Sequence, residues 1–284
     1  LQDVQESQRE DGNVSDVCPA YWRFYSTNVT WPSLQILVPR NLAMIYGDEK
    51  PIAKHYESRK AWLAHLMTFL EEDGTISKDN YGDWCVPPER ADLIHSEDPA
   101  RQTNRNLLAT AYLINDVNIQ AKYAEKLGRD EDAKFYRDFA EKTTKVFNEK
   151  FYDAEKGQYD NGTQTSSALP LFFGLVPEGE REKVFATLTK NIETVTNNHI
   201  GTGLIGAQWI NRVLSDNGRI DLSYAFATNR DYPSWGYMIE KGATTIWELW
   251  NGDTADPAMC SHNHVMLVGD LATWFYEYLA GIKA

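Results

Sequence analysis

The sequence predicts an all-α protein assembled from helix hairpins. Apolar residues recur at helical spacing in almost every long segment. Strand signals are nearly absent, and short turns punctuated by Gly or Pro join successive helical stretches. The composition is that of a globular chain: 42% hydrophobic, 24% charged, mean hydropathy −0.51.

Residues 1–10 read as the last turns of a helix that runs into a loop at Asp11–Gly12, which suggests that the natural protein continues upstream. Leu34, Leu37, Val38, Leu42 and Ile45 form an i, i+3, i+4 stripe ending at Gly47. Pro51 suits the first turn of the next helix, which continues through Trp62, Leu63, Leu66, Met67 and Leu70 to Gly74. A long helix is expected over 106–127, closed by Gly128. Asp130 then caps another through Phe135, Phe139, Val146 and Phe147. Further helices are expected over 166–174, from Pro177 through Ile192, then over 204–214, 220–227, 234–241 and 263–279. The last is stopped by Gly281. About ten helices, mostly paired, leave a bundle, an open solenoid or a closed toroid of hairpins.

Four connections are long and rich in aromatics and carboxylates: 11–31, 73–101, 153–164 and 242–263. Loops of this length inside a folded domain are usually functional or disordered, and their Trp, Tyr and Cys content argues against disorder. Gathered at one end of a toroid, they would build a cleft.

Charge and cysteine usage narrow the function classes. With 28 Lys+Arg against 41 Asp+Glu the net charge is −13, which repels a phosphate backbone and excludes nucleic acid as a partner. The apolar runs are too short for a membrane span. Cys18, Cys85 and Cys260 fit no metal spacing and, being odd in number, no disulfide framework. Cys85 reads as a buried thiol. No metal or other cofactor is implied. Homo-oligomerisation is left open. Asn13, Asn28 and Asn161 each open an N-glycosylation triplet, weak evidence in a chain this long. A secreted or periplasmic setting is slightly favoured over a cytoplasmic one.

Nine Trp in 284 residues is the unusual number, explained either by core filling or by aromatic binding platforms. The most informative stretch, residues 233–253, places Trp235, Trp247 and Trp250 among Glu240, Glu248 and Asp253. A carboxylate held among indoles can have its pKa raised and is placed to activate a water. Indole faces also stack on sugar rings. The pattern therefore points to glycoside hydrolysis, against the simpler alternative of a surface Glu beside core Trp side chains.

The run G-A-T-T-I-W-E-L-W-N-G at 242–252 resembles glycoside hydrolase family 78, the inverting α-L-rhamnosidases. It is preceded by P-S-W-G-Y-M-I and followed by S-H-N-H-V-M-L-V-G-D-L at 261–271. Q-R-E-D-G-N-V-S-D-V-C-P at 8–19, T-W-P-S-L-Q-I-L-V-P at 30–39, Y-G-D at 46–48 and Y-G-D-W at 81–84 follow the same family's order. The resemblance thus covers essentially the whole chain. It implies one catalytic domain, an (α/α)6 barrel lacking its first helices and any β-sandwich domains here, with a rhamnose-containing glycoside or oligosaccharide as substrate. It also implies Glu248 as the general base, with His264 (rather than His262), Trp31, Trp84 and, less directly, Trp235 at the sugar. Asp83 is expected to touch substrate or to support a residue that does. Trp22, Trp62 and Trp274 are assigned to the core, and Trp209 is open. The family's general acid belongs to a motif upstream of 8–12 that residues 1–284 do not contain. Inversion needs that second carboxylate, so this chain alone is expected to be inactive. The competing readings are another inverting glycosidase or a sugar-acid lyase on the same barrel, and a non-catalytic carbohydrate-binding helical scaffold.

Overall fold

The computed structural model describes residues 1–259 and 261–283, with the backbone alone for 265–269. Cys260 lies outside the described residues. The chain divides into two compact units, one formed by residues 1–81 and 105–151, the other by 82–104 and 152–283.

The first unit carries α1 (Gln2–Ser7), α2 (Leu34–Tyr46), α3 (Lys50–Lys54), α4 (Tyr56–Met67), α5 (Arg105–Lys126) and α6 (Asp130–Phe151). Helix α5 is its centre. Leu107, Leu108, Ala109, Ala111, Tyr112, Leu113, Ile114 and Val117 are all buried, the pattern of a helix covered on every side. Against it lies α6, whose Ala133, Tyr136, Ala140, Thr143, Phe147 and Phe151 form a single buried stripe, while Asp130, Glu131 and Asp132 complement the dipole at its N-terminus.

The single helix expected from Pro51 onward is broken at His55 into α3 and α4. The buried Arg59 guanidinium donates to the carbonyls of Pro51 (3.1 Å) and Ile52 (2.5 Å), so the break's exposed acceptors are met by a side chain. Its remaining contacts are the Gln120 amide oxygen at 3.2 Å and the Tyr123 ring. Burial lowers the Arg59 pKa to about 10. A second buried polar pair joins Ser33 to Asp116, whose carboxyl is raised well above its ordinary value by burial.

Trp62 is in this core as expected, but Trp22 is not: it is 67% exposed, edge-on to Tyr21. It sits in an irregular loop, where nothing periodic turns it inward. Asn13 and Asn28 are buried, which removes both as glycan acceptors, whereas Asn161 is exposed.

The second unit contains a two-residue antiparallel ladder, β1 (Tyr152–Asp153) with β2 (Gln158–Tyr159), which the sequence reading took as plain loop. Its helices are α7 (Gln164–Phe173), α8 (Arg181–Thr194), α9 (Leu204–Asp216), α10 (Ile220–Thr228), α11 (Trp235–Glu240) and α12 (Val265–Trp274). The chain then continues as a π-helical stretch over Phe275–Leu279. Thr163 and Ser234 cap α7 and α11 by accepting from the amides of Ser166 and Tyr237. Helices α7 and α9 meet closely at Gly206, where a Cβ would stand 2.0 Å from the Thr165 hydroxyl. Trp209, left open by the sequence, is core and packs on Phe172 and Phe173, and Trp274 is buried as expected.

Candidate active site

Segment 242–264 is held by its own backbone. The Glu248 amide donates to the Ser261 carbonyl (2.8 Å) and the His264 amide to Ile246 (2.8 Å), pairing the two arms of the loop. Trp247, Leu249 and Trp250 turn inward, and Glu248 alone among them keeps an open side chain, 17% exposed. The expected cage of indoles around Glu248 is therefore corrected. Trp250 packs edge-on against Trp235 at 5.0 Å and donates its indole N–H to the Thr202 carbonyl. Trp247 lies beside His262. Both indoles build the floor under the carboxylate.

The other carboxylates of the segment are engaged elsewhere. Glu240 pairs with Arg230 at 3.2 Å, and Asp253 accepts from the Tyr237 hydroxyl. Glu248 instead accepts the Ser261 amide at 3.3 Å and stands 3.8 Å from Nε2 of His264. His264 Nδ1 is buried and has no hydrogen-bond partner among the described residues. His262 is directed at the Gly252 carbonyl, 3.0 Å away, so the two histidines are separated as the sequence reading expects.

Loop 82–104 forms the opposite wall. Asn251 fixes it by donating its side-chain amide to the carbonyls of Ala91 (2.9 Å) and Leu93 (3.0 Å). Trp84 is half-buried and its ring lies 4.5 Å from that of His95. His95 is a residue the sequence reading missed. Burial lowers its pKa, while the negative charge of Glu248 raises it, which places the imidazole within the field of that carboxylate. Its only sequence signal is membership of a long aromatic loop. Cys85, beside Trp84, is buried with Leu249 and Ala255, as expected.

Asp83 has no open face. Its carboxylate accepts from Thr165 (2.5 Å) and from the amides of Gly203 (3.0 Å), Ile205 (2.9 Å) and Gly206 (2.9 Å) at the start of α9. Burial pushes its pKa up against those four donors. Of the two roles expected for Asp83, the geometry supports holding Trp84 in place rather than touching sugar. Trp235 is likewise only 4% exposed, beneath the site rather than on its surface. Trp31 belongs to the first unit, half-buried and stacked face to face on Tyr81 with centroids 3.9 Å apart. Among the described residues no group of three or more His, Cys, Asp or Glu is arranged to hold a metal ion, and no helix is long and apolar enough to cross a membrane.

The family described as the bacterial alpha-L-rhamnosidase six-hairpin glycosidase domain matches residues 1–279. The chain belongs to that family. Its fold class is accordingly the all-α six-hairpin one. An alpha-L-rhamnosidase from Streptomyces avermitilis is 33% identical over 99% of this chain, and one from Formosa agariphila 31% over 99%. This rhamnosidase-family chain spans 26% and 30% of the lengths of those two relatives. Among solved structures, the alpha-L-rhamnosidase from Dictyoglumus thermophilum superimposes with a TM-score of 0.88 at 35% identity, covering 97% of this chain and 30% of that one. The Streptomyces avermitilis enzyme complexed with L-rhamnose gives a TM-score of 0.88 at 31% identity, covering 99% and 26%.

Proposed function

We propose that this domain carries the general base of an inverting α-L-rhamnosidase, and that Glu248 is that base. The observation that carries the proposal is the state of Glu248 within the family's T-I-W-E segment. It is the one carboxylate there that keeps an open side chain without a tyrosine or cation holding it. From that position it takes a proton from a water attacking the anomeric carbon, on the face opposite the leaving group. His264, 3.8 Å away, holds the carboxylate's orientation and faces the sugar with it. Trp84 and Trp31 supply apolar faces for the rhamnose ring, with Trp235 supporting from below. The proton for the leaving group comes from a second carboxylic acid about 6.5–9.5 Å from the base. The resemblance places that acid upstream of residues 8–12.

The test is Glu248→Gln in the full-length polypeptide, assayed on 4-nitrophenyl α-L-rhamnopyranoside. Turnover should fall between about 10²- and 10⁴-fold, the usual contribution of a general base. NMR of the wild-type reaction should show the β-anomer of L-rhamnose forming first. Unchanged turnover in the variant, or the α-anomer as first product, overturns the reading.

A further inference from the structure

A cavity of about 570 Å³ opens in the second unit among loop 82–104, the start of α7, the turn between α8 and α9, and Tyr232–Pro233. Neither Glu248 nor His264 nor Trp84 lines it. Its volume lies within the range of small-molecule sites, about 300–1,000 Å³. Apolar faces from Pro87, Ile200 and Tyr232 alternate with the polar groups of Asn191 and His199. The charges at its edge cancel, because Arg101 lies 3.7 Å from Asp98.

His199 shows what the cavity asks for. Its Nδ1 faces the carbonyls of Thr196 (3.1 Å) and Asn197 (2.8 Å), which identifies Nδ1 as the protonated, donating nitrogen. Nε2 is then a bare acceptor, buried and without a hydrogen-bond partner among the described residues. A buried acceptor left unmatched costs on the order of 1–3 kcal/mol, and a ligand hydroxyl relieves it. The turn that presents this ring is strained: Asn197 and Asn198 both sit at positive φ, +48° and +59°. It is pinned there by Asn229, whose side-chain amide donates to the Asn198 carbonyl at 2.8 Å. Two consecutive left-handed non-glycine residues persist only where the surroundings enforce them, and such outliers gather at ligand sites.

We infer that this cavity binds a neutral pyranose of the substrate glycan, beyond the terminal rhamnose. Alternating apolar faces and hydroxyl partners, with no net charge, suit an uncharged sugar ring. Loop 82–104 couples the cavity to the proposed active site, since it carries Trp84 and His95 at one place and Pro87 and Arg101 at another. The identity of the ligand as glycan rests on the proposed function, while the existence of the site rests on the cavity itself.

The experiment uses the full-length polypeptide with Glu248→Gln to block hydrolysis. It is titrated calorimetrically with an α-L-rhamnosyl-terminated neutral tetrasaccharide and, separately, with L-rhamnose. Val195 lines the cavity and is 76% exposed, so Val195→Trp closes the opening from a tolerant position. Tetrasaccharide affinity should drop at least tenfold and L-rhamnose affinity stay within twofold. Equal tetrasaccharide affinity with and without Val195→Trp overturns the inference. If both ligands weaken together, Asn191→Ala decides. It should weaken the tetrasaccharide threefold or more with L-rhamnose unchanged, and any other result overturns the inference. If L-rhamnose fails to bind while Val195→Trp still weakens the tetrasaccharide, the rhamnosidase reading falls and the cavity site stands.

Discussion

At the scale of residues, the candidate site turns on which polar groups remain uncommitted. Glu240 and Asp253 are tied to Arg230 and Tyr237, whereas Glu248 meets only a backbone amide and a histidine at 3.8 Å. His95 supplies an independent probe of that geometry. Burial holds its pKa below the ordinary histidine value and the Glu248 charge acts in the opposite direction. NMR titration of His95 should therefore give a midpoint below that of an exposed histidine. In Glu248→Gln the midpoint should move lower still, because the raising charge is gone. A midpoint that does not respond to Glu248→Gln would place the imidazole outside the field of the carboxylate. Glu248 and His264 were legible as residue types in a motif. His95 was not, because a lone histidine in a long loop has no periodicity or spacing that marks it.

At the scale of elements, the start of α9 shows a helix capped from far away in sequence. Gly203 occupies the N-cap position and has no side chain to cap with. Asp83, 120 residues earlier, accepts the amides of Gly203, Ile205 and Gly206, at the end where the helix dipole favours an anion. The approach is so close that a Cβ on Gly203 would lie 2.2 Å from the Trp84 carbonyl oxygen. Asp83→Ala should lower stability by about 2–4 kcal/mol, since it leaves buried donors unmatched. Gly203→Ala should cost about 1–3 kcal/mol through overpacking. Thermal unfolding measures both, and in both variants Trp84 should shift enough to weaken L-rhamnose binding. A variant of either kind that unfolds like the wild type would remove this contact from the architecture. The same lesson explains why the helix read from Pro51 onward splits at His55. Periodicity registers the apolar face, but the acceptors taken by Arg59 depend on where the chain folds back.

At the scale of the whole molecule, pH acts through carboxyls that burial keeps protonated. Asp116 is buried in the first unit with Ser33 as its hydrogen-bond donor, and its pKa is well above the ordinary carboxylate value. The folded state therefore holds a proton that the unfolded chain loses above the ordinary carboxylate range. Stability from this group is complete at acid pH and falls as pH rises through the elevated folded value. Asp116→Asn, similar in shape and permanently neutral, should flatten that decline. Chemical denaturation across pH 4–9 measures it, the variant gaining on the wild type with increasing pH. Parallel profiles for the two proteins would show Asp116 ionised in the fold. The net charge of −13 sets a separate, diffuse background common to both proteins, so the comparison isolates the buried group.

The amino-acid sequence by itself determined the all-α class, the boundaries of α2, α5, α6 and α9 to within a residue or two, and the segment that holds the candidate base. These follow from local periodicity, capping residues and a contiguous motif, all written along the chain. Only the tertiary structure decided which aromatics are surface and which are floor. Trp22, assigned to the core, is exposed, and Trp235, Trp247 and Trp250, expected around a pocket, are buried beneath Glu248. Only the structure turned Asp83 from a sugar contact into a cap for a distant helix, or showed the bare acceptor of His199 in a cavity. The physical reason is common to all of these. Burial and hydrogen-bond satisfaction are set by neighbours many residues away, and a pattern read along one segment carries no information about them.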